Sequence, residues 1–336
     1  MAIFSGPRAQ DARGGLSLAM RGGQLRAMSE IVFHLPADWV VDPAAMLPFY
    51  QKLTEGLAER GINWRAVPIN RDALPGALDA DDAFHIINHG RVQHPRALNA
   101  GIAYIYPFWN LDPDGIRAFS SIAGRPFRPA RVDADKARAF IRRQRDRLVA
   151  ARQSRYEQPQ ERAPLPRAEA AVFLQSEGHR TVGETCYLDR WTMLETVLAA
   201  TEGPVIVKPH PRELDGAVYN RLAAFRAAAP RLAISTGNIH DIIAASDRVV
   251  TINSAVGVEA YLHRKPVILC GKADFHHIAT VAQSADALGA ALRGPAPARH
   301  YDKYVYWYFG HMCVNAGGPN LLEQVLHRIR ATGYAI

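Results

Sequence analysis

Two Rossmann-like α/β domains facing each other across a cleft are predicted for this chain, and three observations predict them. Short apolar runs alternate with amphipathic stretches at helical period, the pattern of a parallel sheet covered by helices on both faces. The alternation occurs twice, on either side of a polar stretch with prolines at 159, 164 and 166. A chain of 336 residues at 48% apolar composition also supplies enough apolar side chains for two separate cores.

Residues 1–29 are rich in Gly, Arg, Ala and Ser without sustained periodicity. They read as a disordered extension or as a start assigned too early, with Met20 and Met28 as alternatives. The first domain is expected over 30–157. Its strands are Ile31–Leu35, Asn63–Ile69, Ala83–Asn88 and Ala103–Tyr106, with an amphipathic helix Pro43–Arg60 that stops at Gly61. A short helix, Asp112–Ser121, and a long basic one, Asp133–Tyr156, follow. Residues 158–168 read as a linker.

The second domain, 169–300, alternates more regularly. Strands are predicted at Ala170–Leu174, Val205–Val207, Leu232–Ser235, Arg248–Ile252 and Pro266–Leu269, and helices at Arg190–Ala200, Ala217–Ala229, Ile239–Ala245, Ala255–His263 and Ser284–Leu292. Two further helices, Tyr301–Cys313 and Pro319–Ala331, make up 301–336 and are expected to pack across both domains.

Composition excludes several classes. No apolar run reaches the length of a membrane span and the N-terminus lacks the basic-then-apolar order of a secretory signal, so a cytoplasmic location is expected. Cys186, Cys270 and Cys313 are far apart and odd in number, which suits reduced thiols, and the thirteen histidines show no metal-binding pattern. Neither a protein-held metal nor another cofactor is expected. Between Arg125 and Arg155 eleven basic residues stand against three acidic ones, a net charge of +8. That segment reads either as a solvated helix or as a docking surface for an anionic inner membrane. It lacks the interleaved aromatics of a nucleic-acid binder, and nucleic acid is not an expected partner.

Two segments carry the candidate chemistry. Lys208-Pro209-His210-Pro211-Arg212 follows an apolar strand, and its prolines stiffen the exit so that His210 is held where it can donate to a phosphate, with Lys208 and Arg212 as second contacts. Asn253-Ser254-Ala255-Val256-Gly257-Val258-Glu259 follows another strand. There Ser254 reads as a helix cap whose neighbouring N–H groups face an anion, Gly257 as a site of close approach, and Glu259 as a ribose contact. Gln175-Ser176-Glu177-Gly178 ends a third strand, with Glu177 as a candidate general base. In the first domain His89, Arg91 and His94 lie in a polar loop after a strand and are candidates for holding an acidic acceptor. No G-x-G-x-x-G loop or Walker loop is present, which argues against dinucleotide oxidoreductases and P-loop kinases.

Taken together, Lys208–Arg212, Ser254–Ala260 and Lys265-Pro266-Val267 resemble the capsule polysaccharide biosynthesis family, which includes bacterial Kdo transferases of GT-B fold; the likeness spans about residues 169–315. The same segments are similar to those of bacterial CMP-sugar-dependent sialyltransferases. The resemblance implies a GT-B glycosyltransferase that uses a nucleotide-sugar, with CMP-Kdo preferred, and a glycan or glycolipid acceptor. It further implies that His210 and Ser254 hold phosphate, that Gln175, Lys208, Pro211, Arg212, Asn253, Ala255 and Gly257 line the donor site, that Glu259 contacts ribose, and that Glu177 is the catalytic carboxylate. Two rival readings remain: a non-catalytic synthesis or export factor that keeps a nucleotide-binding fold, and a UDP-sugar epimerase of the same architecture.

Overall fold

The computed structural model describes residues 4–5, 30–175 and 184–336, which form two compact units. The first contains the described residues up to Ile102, together with Pro107–Ile116 and Val314–Ile336; the second contains Ala103–Tyr106 and Arg117–Cys313. The predicted extension 1–29 lies outside the described residues apart from Phe4–Ser5.

In the first unit the strands are β1 Phe4–Ser5, β2 Glu30–Leu35, β3 Asn63–Pro68, β4 Phe84–Asn88, β5 Ala97–Ile102 and β6 Phe108–Asp112. The sheet runs β1-β3-β2-β4-β5-β6 and is completed by Val314–Asn315 from the C-terminus. β3, β2, β4 and β5 are parallel, while β6 returns antiparallel to β5. The helix Pro48–Glu59 starts with proline at its first position and buries Phe49, Leu53 and Leu57, one side chain per turn, together with Tyr50. It ends where Gly61 takes φ +65°, a conformation that costs glycine nothing. Gly56 lets the C-terminal helix Leu321–Arg330 close on it, since a Cβ there would lie 3.0 Å from Leu322.

The predicted strand Ala103–Tyr106 is not a strand. β5 and β6 flank it, and these four residues reverse the chain, with Tyr104 at φ +65° and the Ile105 N–H bonded to Ala103 O at 2.7 Å. Its run of apolar and aromatic residues reads as a strand because tyrosine and isoleucine favour both strands and buried turns. Here Tyr104 is buried by contacts, not by pairing.

The second unit is a six-stranded sheet whose adjacent pairs are all parallel. Its strands are β7 Ala170–Phe173, β8 Val205–Lys208, β9 Leu232–Ile234, β10 Val249–Thr251, β11 Val267–Leu269 and β12 Thr280–Val281, in the order β12-β11-β10-β7-β8-β9. Central strands β7, β8, β10 and β11 are buried at every position, as expected for a sheet covered on both faces. The predicted helices Arg190–Ala200 and Ile239–Ala245 are observed with those bounds.

The predicted division of the chain needs correction. The basic helix Ala134–Gln144 and its π-helical continuation Arg145–Ala150 group with the second unit, as do residues 158–168. So does Tyr301–Met312, leaving only the segment from Val314 with the first unit. The physical reason is a set of specific contacts that proline content and charge do not reveal. Arg145 donates to Leu262 O at 2.7 Å, Arg152 pairs with Asp241 at 2.5 Å, and Asn238 donates to Arg152 O and Pro159 O. Gln158, buried in the supposed linker, accepts from Ile239 N at 3.1 Å. His240 Nε2 lies 2.8 Å from Gln153 O, an atom that only accepts, so Nε2 carries the proton; Nδ1 then accepts from His263 Nε2 at 3.0 Å. Residues 144–160 are therefore a strap bound along the helices Ile239–Ala245 and Val256–Leu262.

A buried carboxylate fastens a second part of this unit. Asp274, with no exposed surface, accepts from Tyr104 OH at 2.8 Å and from Tyr308 OH at 2.7 Å. Replacing it by Ala strands two hydroxyls in an apolar surround, so Asp274→Ala should lower unfolding free energy by about 2–5 kcal/mol, read from urea denaturation. Tyr308→Phe, which removes one donor and leaves the other, should cost about 1–2 kcal/mol.

Candidate functional site

The order β10-β7-β8 brings three predicted segments to the carboxyl edge of one parallel sheet. Phe173 of β7 is in register with Lys208 of β8 and with Thr251 of β10. Gln175 therefore leaves the sheet between His210 on one side and Asn253-Ser254 on the other. Two interstrand spacings separate the flanking strands, about 10 Å, a span suited to a phosphate with an attached sugar. Ligands bind at this edge in open α/β sheets because strand exits and helix starts there present unpaired backbone groups.

His210 is half-buried between a buried Pro209 and an exposed Pro211. Its Nδ1 accepts from Arg212 N at 3.1 Å, so a neutral ring carries its proton on Nε2 and is a hydrogen-bond donor there. The ring meets Tyr156 of the strap edge to face, with centroids 5.4 Å apart. Backbone and aromatic contacts thus fix both tautomer and orientation.

On the other side, Ser254, Ala255 and Val256 are half-buried, and the helix Val256–Leu262 begins at the last of them. The N-cap position falls to Ala255, which has no side-chain cap, and not to Ser254 as predicted; the Ser254 hydroxyl, one residue earlier, accepts weakly from Val256 N at 3.4 Å. Gln175 and Asn253 brace this turn. Asn253 N donates to Gln175 Oε1 at 2.7 Å, Gln175 Nε2 donates to Asn253 Oδ1 at 2.9 Å, and Asn253 Nδ2 donates to Thr185 Oγ1 at 2.8 Å and Lys272 O at 3.0 Å.

Several predicted ligand contacts have other roles. Gln175 and Asn253 spend their amides on each other and position the turn. Lys208 is buried on the sheet face opposite Val207, because side chains alternate along β8; its Nζ donates to Thr236 O and Gly237 O, both at 2.8 Å, and burial lowers its pKa to about 8. Gly257 admits Phe275, not a ligand, since a Cβ there would lie 2.8 Å from the ring. Glu259, 3% exposed, faces the strap and bonds to Ser154; burial raises its pKa to about 7. The strap covers the face on which a ribose contact was expected. Glu177 lies outside the described residues.

In the first unit the loop after β4 is held by the buried Asn99, which accepts from Val92 N and donates to Val92 O. His94 Nδ1 accepts from Arg96 N and its Nε2 lies 3.3 Å from Asp79, which makes it part of the loop's own scaffold. His89, at φ +49°, and Arg91 are exposed.

The strap residues Arg155 and Tyr156 were missed as site residues. Their only sequence signal is the end of a basic run beside one aromatic, and contact with His210, more than fifty positions away, appears only on folding.

Residues 160–304 match the family described as capsule polysaccharide biosynthesis protein. No curated protein matches the sequence significantly. Among solved structures, the chain is similar to Thermosulfurimonas dismutans KpsC, beta Kdo 2,7 transferase, at 14% identity and a TM-score of 0.50, covering 82% of this chain and 88% of that one. The beta Kdo 2,4 transferase of the same KpsC matches at 13% identity and a TM-score of 0.48, over 83% and 89%. A Methanocaldococcus jannaschii UDP-GlcNAc 2-epimerase matches at 9% identity and 0.36, over 90% and 99%. The α/β class of the GT-B kind, with two Rossmann-like units, is the observed fold. No helix among the described residues is long and apolar enough to cross a membrane.

Glu259 makes a testable contribution to stability. Its folded pKa, about 7, lies above the 4.5 of the free side chain, so the folded state holds the extra proton. The stabilisation is complete below pH 4.5 and is lost as pH rises through 7, amounting to roughly 3 kcal/mol. Glu259→Gln should flatten the fall in melting temperature between pH 4.5 and 7 and melt higher than the parent at pH 8. A parallel fall in both proteins would refute the assignment.

Proposed function

We propose that this chain is a glycosyltransferase of capsular or surface polysaccharide assembly, using a nucleotide-sugar donor, with CMP-Kdo preferred, and a glycan or glycolipid acceptor. The observation that carries the reading is the pairing of an Nε2–H donor at His210 with the open turn Ser254–Val256, on opposite sides of β7 at one sheet edge. The family match over 160–304 and the KpsC-like fold support it.

In the reaction the acceptor oxygen forms a bond to the anomeric carbon as the bond from that carbon to the phosphate oxygen breaks. The phosphate leaves with the electron pair. His210 and the N–H groups of the Ser254 turn stabilise the charge it gains, and the exposed Arg212 adds a cation. Glu177 takes the proton of the acceptor hydroxyl. His89 and Arg91 hold an acidic acceptor, and no protein-held metal is required. The basic face of the helix Ala134–Gln144, where Lys136, Arg138, Arg142 and Arg143 are exposed, draws the enzyme to anionic lipid at the inner membrane.

Calorimetry with CMP, UDP and GDP tests the donor site. CMP should bind most tightly, and His210→Ala should weaken it about tenfold or more, the loss expected for a charge-assisted hydrogen bond. Failure of all three nucleotides to bind would favour a non-catalytic synthesis factor; an epimerised sugar formed without acceptor would favour the epimerase. Glu177→Gln should abolish transfer and leave CMP affinity within twofold, whereas unchanged turnover removes Glu177 from the mechanism. Co-sedimentation with vesicles should rise with anionic lipid content; sedimentation that ignores it would exclude membrane docking.

A further inference from the structure

Two arginines from distant parts of the sequence meet at the aromatic ring that packs against His210. The Arg212 guanidinium lies over the Tyr156 ring at 4.9 Å, and that of Arg155 lies 5.8 Å from the same ring. The His210 imidazole meets this ring at 5.4 Å. Arg117 is close enough for its charge to act on Arg155, and it is held at φ +52°, a left-handed conformation that costs a non-glycine residue about 1 kcal/mol or more. Partial desolvation lowers the Arg155 pKa, and the charges of Arg117 and Arg212 push it the same way.

Two neighbouring carboxylates are committed to other partners. Glu213, next to Arg212, pairs with Arg190 at 2.9 Å, and Asp241 under the strap pairs with Arg152. Among the described residues neither Arg155 nor Arg212 has a carboxylate within ion-pair distance. Holding like charges together is unfavourable in the empty protein and becomes favourable when an anion binds between them. Tyr156 presents its face to the guanidinium groups, which leaves their N–H edges directed away from the ring.

We propose that Arg155 and Arg212, assembled on Tyr156, form a second anion subsite beside the His210 position, taking a further oxyanion of the bound substrate. The inference rests on reading the His210 edge as a nucleotide-sugar site and deepens it: the substrate carries two anionic groups, and the strap supplies the selectivity for the second. Arg155 and Tyr156 lie outside the 160–304 family match and Arg212 within it, so the strap's part of this subsite belongs to a region which that match does not describe. Two sources fit the chemistry, a second phosphoryl group on the donor and a carboxylate on a sugar.

Two ligand pairs separate the sources, each measured by calorimetry and by thermal shift: CMP against CDP, and Kdo against its methyl ester. The wild-type protein should prefer the more anionic member of one pair by about tenfold or more, as expected for charge-assisted hydrogen bonds. Arg155→Met, which keeps the aliphatic stem, should erase that preference and leave CMP affinity within twofold. Its melting temperature without ligand should be equal to or above the parent's, because a like-charge repulsion is relieved; a merely structural arginine would lower it. Arg155→Lys should recover part of the preference. Equal binding of both members of both pairs by the wild type, or an unchanged preference in Arg155→Met, overturns the subsite. CMP binding without any such preference removes the subsite and leaves the donor site standing; an Arg155-dependent preference for Kdo over its ester without CMP binding does the reverse.

Discussion

The arrangement of the candidate site depends on the reciprocal amide pair of Gln175 and Asn253. Parallel strands β7 and β10 are held in register by their ladder, but the ladder ends at Phe173 and Thr251. Beyond it the chain would diverge. Two hydrogen bonds between the amides, with Thr185 and Lys272 O taking the remaining Asn253 protons, carry the pairing past the sheet and set the angle at which Ser254 enters its helix. A half-satisfied amide at this partly buried edge would cost more than the bonds contribute, which makes the geometry all-or-none.

The strap 144–160 supplies the other half of the site. Its neutral histidine relay, the Arg152–Asp241 ion pair and the Asn238 and Gln158 side chains spread its attachment over many modest interactions, so that no single one carries it. Lying over the helix Val256–Leu262, it buries Glu259 and delivers Tyr156 and Arg155 to the edge where His210 emerges. Charge density that reads as a solvated or membrane-facing helix is thus divided by the fold. Residues such as Arg142 and Arg143 face outward, whereas Arg145 and Arg152 are spent on the unit's own carbonyl and carboxylate groups.

Much of the second unit was legible because parallel strands buried on both faces are short, nearly pure runs of Val, Ile and Leu, and because helices such as Arg190–Ala200 and Ile239–Ala245 carry an Asp or Asn cap at the expected place. The first unit was harder. β5, Ala97–Ile102, includes Asn99 and Gly101 and looks unlike a strand; Asn99 is there because it organises the preceding loop, and Gly101 because Ile116 would strike any Cβ. Side-chain roles at the site divide similarly. His210 and Ser254 stand where strand exits must place them, but the inward turn of Lys208 and the burial of Glu259 follow from neighbours that are remote in sequence.

By itself the sequence determined the class of fold, the strand exits at His210 and Ser254, and the net charge of residues 125–155, since these depend on local periodicity, proline stiffness and composition. Tertiary structure alone decided where the units divide, which polar residues brace the site and which remain open to a ligand, and that Arg155 and Arg212 converge on one tyrosine. The physical reason is range: backbone propensity acts over a few residues, whereas desolvation, ion pairing and hydrogen-bond satisfaction are settled by whatever the completed fold brings alongside.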